Sequence, residues 1–185
     1  MHIATAGWTV SKRVIDRFPA HGSHLVRYAH VLPGVEINSS FYRSHAPATF
    51  ARWAASVPEH FRFAVKVPRT VTHERGLRSC ASLLERFLAE TAALGTKRGP
   101  LLVQLLATFA FDILTVDRFF GVLRMRYDGE VVCEPRHPSW FDTPVSDLLE
   151  AHRVGGVAAD PPRAPREHPN CRTVRRAHDL LMATS

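Results

Sequence analysis

Six short apolar runs alternate along this chain with longer stretches of helical spacing, and that alternation limits the fold more than any other feature. The runs are HIATAGW (2–8), GVEINSSF (34–41), FRFAVKVP (61–68), PLLVQLLA (100–107), EVVCEP (130–135) and GGVAAD (155–160). Between them, Leu25, Tyr28, Ala29 and Leu32 share one helical face, as do Phe50, Trp53, Ala54 and Val57. Pro58 closes that second helix, because proline disfavours an α conformation in the residue before it. Leu83, Leu84, Phe87 and Leu88 line a third helix with Gly95 as its stop, and VDRFFGVLRMR and PVSDLLEAHRV read as two more. A strand–helix repeat of about 30 residues implies right-handed βαβ units and a parallel sheet covered by helices. An open doubly wound sheet and a (β/α) barrel both satisfy the pattern. The open sheet would usually show a glycine-rich phosphate loop after an early strand. Here Gly99-Pro100 precedes its strand and Gly155-Gly156 starts one.

At 185 residues the chain is long enough for one domain with a sizeable core. No run approaches the roughly 20 apolar residues of a membrane span. The segment MHIATAGWTV lacks the basic start and cleavage site of a signal peptide, so a soluble cytoplasmic protein without membrane partners is expected. Cys80, Cys133 and Cys171 are odd in number and lack C-x-x-C spacing, which points to reduced thiols. The net charge of +7 invites a polyanionic partner. It is carried almost wholly by arginine, since only Lys12, Lys66 and Lys97 are lysines, and a GC-rich genome gives the same skew.

In a parallel sheet, function collects at the carboxyl ends of the strands. GVEINS places Glu36 and Asn38 on one strand face, opposite Val35 and Ile37. The later runs contribute Lys66, Gln104, Glu134 with Arg136, and Asp160 at corresponding positions. Each also has a plainer role: Glu36 paired with Lys66, Gln104 capping a loop, Asp160 as a turn residue before Pro161-Pro162. Together they imply a polar mouth, because burying several charges is costly unless they pair or serve a site. Pro135 and Pro138 stiffen the exit of the fifth strand, holding Arg136 and His137 near that mouth while Trp140 and Phe141 anchor the loop. An ordinary βα turn with an Arg–Glu pair explains the same stretch.

The stretches TAGW (5–8), VEINSSFYR (35–43), FRFAVKVPRTVTH (61–73), GPLLVQL (99–105), EPRHPSW (134–140) and AADPPR (158–163) resemble domain-of-unknown-function family 72, the YecE-like family. They occur in order across residues 1–165. The resemblance implies an α/β, TIM-barrel-like fold related to endonuclease IV-type enzymes and xylose isomerases. By position, the matching polar residues are Glu36, Asn38, Tyr42, Lys66, Arg69, His73, Gln104, Glu134, Arg136, His137, Trp140 and Asp160. Two departures stand out. QLLATF replaces the family's proline-rich continuation after the fourth strand, and the family's last two strand–helix units have no counterpart. The expected organisation is therefore an incomplete barrel of about six of eight βα units over 1–165, followed by an atypical Arg-rich tail over 166–185. TVRRAHDLLM in that tail is expected to form a short amphipathic helix. Unpaired first and sixth strands would then invite self-association.

Three functions follow as expectations. The first is hydrolysis of a phosphodiester or nucleic acid, with Glu36, Glu134, His137 and His73 as candidate catalytic groups. Asn38, Tyr42, Lys66, Arg69, Gln104, Arg136, Trp140 and Asp160 would bind the substrate, the cations holding phosphate. The second is binding of nucleic acid or a small anionic ligand without chemistry, with Trp140, Tyr42 and Phe41 stacking on bases. The third is an inactive, truncated family member. No cofactor motif is evident. His73 and His137 are too few for the trinuclear zinc site of endonuclease IV-type enzymes, and one divalent metal held by carboxylates is the remaining metal alternative.

Overall fold

A computed structural model of the protein describes residues 2–157 and 180–183. Every apolar run becomes a parallel strand: β1 (His2–Thr5), β2 (Gly34–Ile37), β3 (Arg62–Lys66), β4 (Arg98–Gln104), β5 (Val131–Glu134) and β6 (Val154–Gly156). A seventh, β7 (Leu180–Ala183), pairs in parallel with β1, His2 opposite Leu180 and Thr5 opposite Ala183. The main sheet runs β2-β3-β4-β5-β6. A single bridge from Ala6 to Glu36, with Gly7 N–H donating to the Glu36 carbonyl at 2.9 Å, joins β1 to it.

β7 corrects two expectations. The first strand is not an unpaired edge, and residues 180–182 extend instead of continuing a helix over TVRRAHDLLM. A run as short as LLMA has no length over which periodicity distinguishes the two. The rest of the 166–185 tail lies outside the described residues, as do Asp160 and Cys171.

The helices are α1 (His24–Ala29), α2 (Ser39–Tyr42), α3 (Pro47–Ala55), α4 (Ala81–Thr91), α5 (Ile113–Arg124) and α6 (Thr143–Ala151). Their starts follow local chemistry. Ser23 Oγ accepts from Val26 N–H at 3.3 Å ahead of α1, and α3 and α6 carry proline in their first turn. α4 ends at Thr91 and continues as a 3₁₀ segment, Ala92–Lys97, in which Gly95 reverses the chain at φ 57°.

Side chains alternate across a strand, and here the two faces differ in kind. Val35, Ile37, Phe63, Val65, Leu101, Val103, Val131 and Cys133 are all buried on the face that meets the helices. They form the core with Leu84, Phe87, Phe119, Phe120 and Leu123 from α4 and α5. Glu36, Ala64, Lys66, Leu102, Gln104 and Glu134 occupy the opposite, inner face. Cys133 sits in the core with its thiol pushed far above its usual range by burial, and both it and Cys80 are free and buried.

Some of the arginine charge has structural employment. Arg124 donates to the carbonyls of His152, Tyr127, Gly129 and Arg153, tying α5 to the turns that lead into β5 and β6. Arg98 lies 4.7 Å from the Tyr127 ring centre. Among the described residues, no helix is long and apolar enough to cross a membrane.

Candidate functional site

Because the strands are parallel, their carboxyl ends lie on one side, and β2 to β5 each deliver a polar side chain there. Glu36 is the penultimate residue of β2; Lys66, Gln104 and Glu134 are the last residues of β3, β4 and β5. Gln104 and Glu134 are register partners, and Gln104 Nε2 donates to Glu134 Oε2 at 2.8 Å. Arg136 closes over the other oxygen, its Nε and Nη2 donating to Glu134 Oε1 at 3.0 and 2.8 Å. Glu134, 8% exposed, thus has both oxygens occupied.

Glu36 is different. The residue is 4% exposed, yet no donor lies within hydrogen-bond reach of its carboxylate among the described residues. Burial raises its pKa above the usual range, Lys66 opposes that rise, and Glu134 adds to it. Lys66, 8% exposed, donates from Nζ to Asn38 Oδ1 at 3.2 Å and stands 4.5 Å from the Phe41 ring centre. Its pKa is lowered by burial; Glu36 and Glu134 counter this, and Arg136 reinforces it. Glu36 and Lys66 therefore both shift toward their neutral forms.

Local structure fixes the ends of β2 and β3. Ser40, in the single turn of α2, places its Oγ 2.7 Å from both the Ile37 and Lys66 carbonyls, bridging the two strand ends. Beyond β3 the chain forms one π-helical turn, Thr70–Glu74, a geometry common at functional positions. It presents His73, whose Nδ1 shares a 2.8 Å hydrogen bond with Thr72 Oγ1 and whose ring meets Phe41 edge-on at 4.9 Å. Burial lowers the His73 pKa, and Lys66, Arg69 and Arg136 lower it further, which favours the neutral ring. The turn is followed by three left-handed residues, Gly76, Leu77 and Ser79; Phe109 covers Gly76, and Leu77 is buried.

The structure therefore gathers Glu36, Asn38, Lys66, Gln104, Glu134, Arg136 and His73. It places the other candidates differently. Arg69 pairs with Glu74 at 3.1 Å on the rim. Tyr42, 65% exposed, lines a cavity of about 190 Å³ between α2, α3 and α4. His137 Nδ1 accepts from Ser139 N–H at 3.2 Å and supports the β5–α6 loop. Trp140 anchors that loop, as its sequence context implies, donating from Nε1 to the Phe109 carbonyl at 2.9 Å. At 3% exposure its indole is packed in the core, and Phe41 lies beneath Lys66 and His73, so neither presents a face on which a base could stack. Ser40 was not among the expected site residues, and Phe41 was expected only as a stacking ring. The only sequence signal for them is position, immediately after Asn38 in NSSFY.

Among the described residues, no group of three or more His, Cys, Asp or Glu side chains could hold a metal ion. Glu134, whose oxygens are taken by Gln104 and Arg136, is a poor ligand, which leaves Glu36 as the one carboxylate of the cluster without such partners.

The fold is similar to two solved structures. The DUF72 family protein EF0366 from Enterococcus faecalis superposes with a TM-score of 0.70 at 23% identity, over 85% of this chain and 60% of that one. The DUF72 family protein TM1631 from Thermotoga maritima gives 0.70 at 26% identity, over 86% and 64%. These likenesses establish a TIM-barrel-like α/β fold. UPF0759 protein YecE of Escherichia coli K12 is 32% identical over 118 residues, which are 63% of this chain and 43% of that protein. The chain thus matches less than half the length of that relative. The profile of the family described as "Protein of unknown function DUF72" matches residues 2–182, reaching into β7, and the chain belongs to that family.

Proposed function

We propose that the mouth formed by β2 to β5 binds a small phosphate-bearing molecule and carries out acid–base chemistry on it, hydrolysis of a phosphodiester being the reaction it suits. The observation that carries this reading is Glu36: a buried carboxylate with no hydrogen-bond donor among the described residues, at the carboxyl end of a parallel strand beside Lys66. A structural carboxylate would be satisfied, as Glu134 is. A carboxylate whose pKa is raised is a better base near neutral pH.

In that role Glu36 takes a proton from the attacking water. Lys66 engages one of its three donors with Asn38, and Arg136 uses Nε and Nη2 on Glu134, so further donors on both remain to meet ligand oxygens. Glu134 is then a positioning residue for Arg136. A small ligand suits the site better than a polynucleotide. Arg124 and Arg98 serve the fold, Arg86, Arg126 and Arg153 are paired with acids, and Trp140 is not available for stacking.

Hydrolysis of bis(p-nitrophenyl) phosphate by the full chain tests the proposal. Glu36→Gln is expected to lower turnover by about 10²–10⁴-fold, the usual contribution of a positioned general base. Unchanged turnover in that variant removes Glu36 from the chemistry. Phosphate-ester binding that weakens with salt but yields no product favours the non-catalytic binder instead.

A further inference from the structure

The chain holds three lysines, and their surroundings differ sharply. Lys12 is exposed. Lys97 is fixed by the Ala54 and Val57 carbonyls at 2.9 and 2.8 Å, with Glu59 at 3.5 Å. Lys66 stands apart: nearly buried, at the carboxyl end of a strand, over an aromatic ring and within the field of Glu36 on β2 and Glu134 on β5.

An isolated ammonium there would be explained by an ion pair, yet no carboxylate is within salt-bridge distance of Lys66 Nζ among the described residues. Its one hydrogen bond goes to a neutral amide, Asn38. The charged groups acting on it are Glu36 and Glu134 on one side and Arg136 on the other. Moving one proton from Lys66 to Glu36 leaves the total charge of the cluster unchanged. It also removes two charges from a poorly solvated site. Burial shifts both groups in that direction. A neutral lysine amine in an apolar setting is a carbonyl nucleophile.

We propose that Lys66 forms a covalent imine with a small phosphorylated aldehyde or ketone at the barrel mouth, Glu36 carrying the proton. This rests on the mouth taking a phosphate-bearing ligand, and not on hydrolysis. In the first step the Lys66 amine attacks the carbonyl carbon, the N–C bond forms, and the C=O π electrons pass to oxygen. That oxygen takes the proton held by Glu36, while the nitrogen returns one to the Glu36 carboxylate, giving a neutral carbinolamine. In the second step the nitrogen lone pair forms C=N⁺ as the C–O bond breaks. The departing hydroxyl takes the Glu36 proton and leaves as water. The products are iminium, carboxylate and water, and no oxidant or metal is required. Arg136 and Arg69 at the rim supply the cations for the phosphate.

Reductive trapping on the full chain tests this. The protein is incubated at pH 7.5 with glycolaldehyde phosphate or acetaldehyde, reduced with cyanoborohydride, digested, and mapped by mass spectrometry. Lys66 is expected to be alkylated at least 10-fold faster than Lys12 and Lys97, despite its burial. Labelling in order of exposure, with Lys12 first, overturns the proposal. Glu36→Gln is expected to slow Lys66 labelling at least 10-fold with an unchanged circular dichroism spectrum; an undiminished rate overturns the proton role of Glu36. Glu36→Asp, which keeps the carboxyl, is the second variant and is expected to label faster than Glu36→Gln. Preference for glycolaldehyde phosphate over acetaldehyde supports the phosphate-binding rim. Equal rates support the imine and count against that rim. Trapping without phosphodiester turnover upholds this inference while removing hydrolysis, and turnover without trapping does the reverse.

Discussion

Replacing Lys66 by methionine is expected to lower the unfolding free energy by about 3 kcal/mol at pH 8, because the buried Glu36 is left without the cation that opposes the cost of its burial. Methionine matches the volume and keeps contact with Phe41, so packing loss is small. What changes is Glu36. Without the Lys66 ammonium, the carboxylate loses the one influence that lowers its pKa, while burial and Glu134 continue to raise it. A carboxyl whose folded pKa exceeds its unfolded value has its stability fully present below the unfolded pKa, and loses it as pH rises through the folded pKa. The deficit of Lys66→Met is therefore largest at pH 8 and shrinks toward pH 5, where Glu36 takes up a proton. Urea unfolding followed at both pH values checks the sign. A deficit that grows on acidification would mean that Glu36 is not the group responding.

The second large effect lies on the other face of the same strand. Phe63→Ala is expected to cost about 3–5 kcal/mol, as for other buried aromatic truncations. Phe63 is fully buried, lies opposite Val35 in the β2–β3 register, and meets Phe61 edge-on with ring centres 5.0 Å apart. With a slope of about 2 kcal/mol per molar urea, the midpoint should fall by about 2 M. The loss should be nearly independent of pH between 5 and 8, since the titratable group packed against the ring pair is Tyr28, whose pKa burial raises from an already high value. That contrast with Lys66→Met separates the two faces of β3: one packs the core, the other carries the proposed site. A Phe63→Ala deficit under 1 kcal/mol would mean that the core between sheet and helices tolerates collapse at that point.

Those two faces were legible in the sequence wherever a strand alternates cleanly. FRFAVK and GVEIN set Phe63 and Val65 against Lys66, and Val35 and Ile37 against Glu36, because consecutive strand residues face opposite ways. The convergence of Glu36, Lys66, Gln104 and Glu134 followed from their shared place at strand ends. What alternation cannot express is the chain between elements. The turn of α2, in which Ser40 ties β2 to β3, is too short to show a period, and so is the π turn that carries His73. Trp140 reads as a loop anchor and also as a stacking ring; its indole donates to the Phe109 carbonyl in the loop after β4 and is buried, which leaves only the anchor. β7 was hidden because a four-residue apolar run at the end of a helical-looking stretch carries no register of its own.

If Glu36 and Lys66 serve the proposed chemistry, they contribute little to holding the sheet together. Urea unfolding of the double variant Glu36→Leu/Lys66→Met, beside Lys66→Met and the wild type, addresses this claim most directly. Removing both buried charges in favour of apolar groups of similar volume is often neutral or stabilising, by about 1–4 kcal/mol. The double variant is therefore predicted to recover the loss seen in Lys66→Met and to unfold at or above the wild-type midpoint at pH 8. A double variant less stable than Lys66→Met alone would contradict the claim and make the pair a structural element of the sheet.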